Sequence, residues 1–337
     1  MEAARAKIRF CRGRRKACLV FIRWDRQVLE VFCLPDFSAC LTYLYHLKML
    51  TLLRGRLEAA PADGTVKKPL DPARVPKFEN TLAVPPVFAP LSSCEDKGTA
   101  YFAVDISEFD EQILPDGFPE TTVWGYGGFV SDPDTGEAIY KRCSPGPTFE
   151  ARVGQKMRVR WVNRLYRPHL FAVDPTLHWA NPNGMPMDPP KPWPLFPPGF
   201  PKAQWPVPVV THVHGGANAP DSDGFPEAWF TYDDEQSPEG ANRPYTFFNG
   251  QESATLWYHD HALGITRLNV CAGLAGFYIL RDPRRPFDDP SAHAHTVLPH
   301  GKYEIPLVIQ DRSFYEDGSL AFNEVGDNPD IHPYWTP

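Results

Sequence analysis

None of the seven cysteines forms a CxxC pair, and none has a histidine on either side. Cys11, Cys18, Cys33, Cys40, Cys94, Cys143 and Cys271 are an odd, scattered set, which does not support a disulfide framework. Four of them fall in the first forty residues. Long apolar runs are also missing. The most apolar stretch, CLVFIRWDRQVLEVFCLPDFSACLTYLYHLKMLTLL, is broken by Arg23, Asp25, Arg26, Glu30, Pro35 and Asp36, so nothing in it reaches a bilayer-spanning length. No apolar centre with a small-residue cleavage site marks a clear signal peptide. A net charge of −7, with residues 1–26 alone at +7, leaves −14 for the rest, and an acidic body argues against nonspecific nucleic-acid binding. The basic stretch RAKIRFCRGRRK reads as a targeting region, an interaction tail or sequence outside the fold.

Helical periodicity is lacking as well, and proline is abundant. The 337 residues include 38 prolines and 24 glycines, which disfavour long helices. Ten prolines fall within residues 185–208 alone. Short strands joined by prolyl loops fit better. VPKFENTLAVPPVFAPL (75–91) is an extended lead-in. TAYFAVDISEF (99–109) alternates as a strand does, and TTVWGYGG (121–128) is a strand running into a glycine turn. SPGPTFEARVGQKMRVRWVNRL (144–165) holds two strands around Gly154, the second with Met157, Val159 and Trp161 on its dry face. VPVVTHVHGG, ESATLWYHDH, AGLAGFYILRD (272–282) and IPLVIQDRSF (305–314) complete the set. The expected fold is an antiparallel all-β sandwich or barrel.

THVHGG (211–216) and LWYHDHALG (256–264) each contain H-x-H. On a strand, residues i and i+2 face the same side, so His212 and His214, and again His259 and His261, are neighbours. Two such strands laid together give four converging imidazoles, a donor set that suits copper, zinc, iron or nickel. A third H-x-H, His293 and His295, sits in a Pro/Asp/Ser/Ala linker and reads as a pair of ordinary surface or core histidines, as do the loop residues His169, His178 and His332.

HVHGG, DSDGFPEAWF (221–230) and LWYHDHALGITRLNVCAGLAGFYILRDP (256–283) closely resemble the first cupredoxin (plastocyanin-like) domain of multicopper oxidases. The nearest branch is the spore-coat laccase and bilirubin-oxidase-like group. WGYGG (124–128), residues 144–165 and KFENTLAVPP (77–86) resemble earlier parts of that domain, and YEIPLVIQDRSFYEDGSL (303–320) resembles the start of the next. The resemblance implies a Greek-key β-sandwich or barrel over residues 76–285, a linker at 286–302, and the beginning of a second cupredoxin domain at 303–337. Residues 1–75 stay unassigned.

The family couples one-electron oxidation of a reducing substrate to reduction of O₂ to water. By resemblance His212 is a type 2 copper ligand. His214, His259 and His261 are type 3 ligands, the last two on different coppers. Asp223 is an acidic residue that helps deliver protons, and Trp257, Tyr258 and Trp229 pack around the ligands. The family's other four cluster histidines lie in H-x-x-H-x-H and H-C-H motifs, and the second also builds the type 1 site. Neither motif occurs here, so the chain is expected to supply half of the trinuclear ligands, to have no type 1 site, and to need a C-terminal half. A truncated copper-binding protein without activity is the alternative, and a zinc hydrolase using the H-x-H pairs a weaker one. The resemblance implies an extracytoplasmic, spore or cell-surface location. The reducing substrate (phenol, bilirubin or metal ion) is left open.

Overall fold

The computed structural model describes residues 20–24, 27–31, 67–91, 98–174, 177–184, 203–237, 244–285 and 303–322. The chain forms two compact units, Met1–Val66 and Lys67–Pro337. In the first, β1 (Val20–Trp24) pairs antiparallel with β2 (Gln27–Val31). The second contains β3 (Thr99–Glu111), β4 (Thr121–Ser131), β5 (Ala138–Cys143), β6 (Gly146–Arg152), β7 (Lys156–Asn163), β8 (Thr211–His214), β9 (Tyr245–Phe247), β10 (Ala254–Asp260), the short helix α1 (Thr266–Ala272), β11 (Ala275–Arg281), β12 (Ser313–Phe314) and β13 (Leu320–Ala321). Among the described residues no helix is long and apolar enough to cross a membrane.

Two sheets carry the second unit, ordered β5-β4-β3-β7-β9 and β6-β11-β10-β8. Their inner faces meet through aromatic rings. Tyr258 of β10 lies 4.8 Å from Tyr126 of β4 and 5.8 Å from Trp161 of β7, and Phe149 of β6 lies 5.2 Å from Phe102 of β3. Each large buried side chain contributes about 1.5–3 kcal/mol, so this aromatic layer is the main adhesive between the sheets. The expected all-β sandwich is therefore present. Its sheets are mixed rather than wholly antiparallel, because β3 runs parallel to β7 and β6 parallel to β11.

Alternation holds where the sequence suggested it. In β7, Met157, Val159 and Trp161 are buried while Arg158 and Arg160 are half-buried. Gly154, at φ +78°, turns the chain between β6 and β7. Other expectations need correction. WGYGG does not end in a turn, since β4 continues to Ser131. Its glycines allow close approach instead: a Cβ on Gly125 would sit 2.5 Å from the Cys143 carbonyl, and one on Gly128 2.8 Å from the Phe88 ring. IPLVIQDRSF is not a continuous strand; only Ser313 and Phe314 pair, with Leu320 and Ala321, and Leu307 and Ile309 are exposed. The strand expected from residue 272 starts at Ala275, because α1 occupies the preceding turn. β5 and β9 are additional strands. Lys67–Arg74 lies along the β12–β13 hairpin, with Leu70 N–H donating to Phe314 O and Arg74 pairing with Glu316. His293, His295 and His332 lie outside the described residues.

His169, read as an ordinary loop histidine, is buried. Its Nδ1 accepts from Phe171 N–H, its Nε2 meets Asn269 Oδ1 at 2.8 Å, and Trp124 packs edge-on at 4.5 Å. Burial pushes its pKa down to about 4, against both hydrogen bonds.

Gly276 packs directly under Tyr258, where a Cβ would come within 2.4 Å of the ring. Gly276→Ala is expected to cost about 1–3 kcal/mol of stability through overpacking, read as a lower urea midpoint. For His169 the unfolded chain takes up a proton first, so its stabilisation is complete above pH 6.5 and is lost as pH falls toward 4. The amount is on the order of 3 kcal/mol. His169→Gln should flatten the dependence of the urea midpoint on pH between 6.5 and 4; an unaltered slope would show that other groups carry it.

Candidate metal centre

β8 and β10 pair antiparallel with His212 opposite His259 and His214 opposite Trp257. Strand alternation does the rest. Thr211, Val213, Tyr258 and Asp260 point into the protein and are buried. His212, His214, Trp257 and His259 share the other face, and His261 follows two residues after His259. The structure thus brings all four expected histidines together. Ring centroids are 5.6 Å apart for His212–His214, 5.7 Å for His212–His259, 5.4 Å for His214–His259 and 4.7 Å for His212–His261.

Backbone carbonyls fix three of the rings. His212 Nδ1 donates to Asp223 O at 2.5 Å, His259 Nδ1 to Asp260 O at 2.6 Å and His261 Nδ1 to Gly224 O at 2.8 Å. A carbonyl can only accept, so Nδ1 carries the proton in each and the Nε2 lone pair is left for a ligand role. His214 differs: its Nδ1 lies 3.1 Å from His259 Nε2. One proton joins those two nitrogens, and a cation bound by both would replace it. Imidazole–metal bonds of about 2.0–2.1 Å in a tetrahedral arrangement place ligand nitrogens about 3.3 Å apart, close to the observed separation.

His212 and His261 are stacked, with ring planes inclined by only 21°. In-plane lone pairs on such rings do not converge at bonding distance. Consistently, among the described residues no three His, Cys, Asp or Glu side chains are grouped to hold a single ion. The histidines form an open wall rather than a closed four-ligand cage.

Gly224 shapes the wall. At φ +73°, with a Cβ that would fall 2.2 Å from Thr211 O, only glycine lets the DSDG loop return against β8. That return delivers the carbonyls of Asp223 and Gly224 to two rings. The Asp223 carboxylate stands 3.5 Å from His212 Nδ1, a longer approach than its own carbonyl, and its side chain is 26% exposed. Trp257 stacks on His259 at 4.1 Å and on His214 at 5.3 Å. Tyr258 does not join it: its hydroxyl donates to Pro147 O inside the sandwich. Trp229 belongs to the hydrophobic core. Burial, reinforced by the other three histidines and opposed by the Asp260 carbonyl, pushes His259 down to about 4. That ring is neutral, and its lone pair available, at ordinary pH.

Asp260, between the two histidines of WYHDH, went unread as a functional residue. It is fully buried. Its Oδ2 accepts from Val210 N–H at 3.0 Å, and its Oδ1 from Ala262 N–H at 3.1 Å and Asn269 Nδ2 at 2.7 Å. Burial pushes the carboxyl up to about 7, against these three bonds. Hydrogen bonds to a charged group contribute about 1.5–3 kcal/mol each and burying a carboxylate costs several kcal/mol, so the three donors offset part of its desolvation. A signal for it existed: the middle residue of H-x-H on a strand must face the core, where a carboxylate needs donors.

Residues 202–285, which include all four histidines, match the family model for multicopper oxidases. The chain is 35% identical over 254 residues to a laccase of Bacillus subtilis (strain 168), covering 75% of this chain and 41% of that one. It is 40% identical over 195 residues to multicopper oxidase LPR1 homolog 1 of Oryza sativa subsp. japonica, covering 57% of this chain and 29% of that one. Among solved structures, a multi-copper oxidase from Pediococcus acidilactici aligns with a TM-score of 0.47 at 22% identity, over 77% of this chain and 39% of that one. The chain spans about two fifths of the length of the laccases that it matches. Residues 202–285 thus carry a multicopper oxidase domain, and the wider chain is similar to the N-terminal portion of laccases and other multicopper oxidases.

Proposed function

We propose that the four histidines are one wall of a polynuclear copper centre, in an oxidase that couples one-electron oxidation of a reducing substrate to reduction of O₂ to water. In this reading His212 is the type 2 ligand and His214, His259 and His261 are type 3 ligands. Copper bound there supplies one-electron redox chemistry that zinc, with no redox states, does not. The observation that carries the reading is the pairing of His214 Nδ1 with His259 Nε2 at 3.1 Å, beside two further rings whose Nδ1 protons are tied to carbonyls. Two nitrogens suited to one ion, and two stacked rings unsuited to sharing another, favour several ions over one. The similarity to laccases and plant multicopper oxidases supports the same reading.

Each residue then has a defined task. The carbonyls of Asp223, Gly224 and Asp260 keep the Nδ1 protons in place, which raises the basicity of the Nε2 lone pairs. Trp257 stacks on His214 and His259 and helps to shield His259, which is buried, from water. Asp223, part-exposed beside His212, holds and passes a proton at Oδ1, as four-proton reduction of O₂ requires. Residues 76–285 serve as the first cupredoxin domain, 286–302 as a linker and 303–337 as the beginning of a second, and a C-terminal half with further ligands completes the centre.

Copper titration of the full chain tests the reading. Copper is expected to bind and to quench Trp257 fluorescence, without the intense blue colour of a type 1 site. His212→Ala combined with His214→Ala should abolish tight uptake, and Trp257→Phe should keep uptake and lose the quenching. Zinc uptake with hydrolase activity and no copper binding would overturn the proposal.

A further inference from the structure

Two of the four histidines stand on a precarious element. β8 has four residues and, among the described residues, lies at the edge of its sheet, paired with β10. Its pairing with β10 ends at Thr211 opposite Asp260. A slip of one residue in such a strand would turn both of its histidines inward. His261 is less secured still, because it follows the last residue of β10 and its direction depends on the backbone of residues 260–262.

The Asp260 carboxylate acts at both weak points. Oδ1 accepts from Ala262 N–H, two residues on, which closes a side-chain turn around His261. Oδ2 accepts from Val210 N–H, two residues before His212, where the regular ladder has ended. A main-chain bond from His261 N–H to Val210 O at 2.7 Å lies alongside. The carboxylate is itself held from behind. Asn269 on α1 donates to Asp260 Oδ1 and to Pro208 O, and its Oδ1 meets His169 Nε2. With Phe171 N–H donating to His169 Nδ1, the proton of His169 is on Nε2, and every bond in the series has one donor and one acceptor.

We propose that Asp260 is the positioning residue of the metal centre, its carboxylate setting the relative placement of the two histidine pairs by bridging the backbone of both. The proposal rests on the reading of these histidines as copper ligands. It is distinct from ligation, because Asp260 faces the interior while the rings face out.

The test compares the full chain with Asp260→Asn, which keeps the shape but sets an amide N–H₂ against one of the backbone donors. Two readouts are taken: ¹⁵N imidazole spectra of the metal-free protein at mildly alkaline pH, and copper affinity with the Cu(II) EPR signature. The parent should show Nδ1–H tautomers at His212, His259 and His261. A folded Asp260→Asn protein should show mixed tautomers at His212 and His261, an altered EPR signature, and copper affinity lower by about tenfold or more. A folded variant with lower thermal stability but the parent's tautomers, EPR signature and affinity would overturn the proposal. If Asp260→Asn does not fold, Asn269→Ala decides, since it removes one side-chain donor and keeps both backbone bonds. A smaller loss of affinity with shifted tautomers supports the proposal, and no change in either overturns it. If the parent binds no copper while Asp260→Asn still scrambles the tautomers, positioning stands and the copper reading falls.

Discussion

The pairing of β8 with β10, His212 opposite His259, is the constraint on which the rest of the centre depends. Period-two alternation sends Thr211, Val213, Tyr258 and Asp260 inward and the histidine rings to the opposite face. The two sets cannot be separated, because moving one moves the other. The aromatic layer of Tyr126, Phe149, Trp161 and Tyr258 therefore does more than hold two sheets together. By fixing Tyr258 it fixes the register of its neighbours Trp257 and His259, and the absence of a Cβ at Gly276 is what admits that ring.

The outer face is organised by backbone rather than by side-chain charge. Three imidazoles donate to carbonyls, and the nearest carboxylate, Asp223, stands off at 3.5 Å. A carbonyl fixes a tautomer without adding a formal charge, so the Nε2 atoms of these rings are the ones left free of the backbone. Burial disfavours the protonated form of His259. The DSDG loop matters here chiefly for the direction of two carbonyls, which Gly224 makes accessible.

Much of this was legible in the sequence, and the parts that were not have physical reasons. The two H-x-H pairs and the Met157, Val159, Trp161 alternation announce themselves because strand faces differ in solvation. Gly127 and Gly128, at the end of TTVWGYGG, were misread as a turn because a glycine needed for close approach looks the same as one needed for positive φ; only the neighbouring Tyr140 hydroxyl and Phe88 ring distinguish the two. Residues 305–312 have the composition of a strand, but a strand also needs a partner, and composition does not name one. His169 was read only as an ordinary loop histidine, because its burial comes from α1 and Trp124, distant in sequence.

Asp260 shows where the reading of a motif gains from asking about its silent position. In WYHDH the histidines attract attention, yet alternation already dictates that the residue between them enters the core. A buried carboxylate is tolerated only where donors converge, so its presence implies that several N–H groups meet beneath the histidines. Those donors are Val210 and Ala262, the backbone flanking each histidine pair, together with Asn269. The same carboxylate on the outer face would add a negative charge among the imidazoles. Facing inward, it bridges the backbone of the two histidine pairs without adding charge to the face that they share.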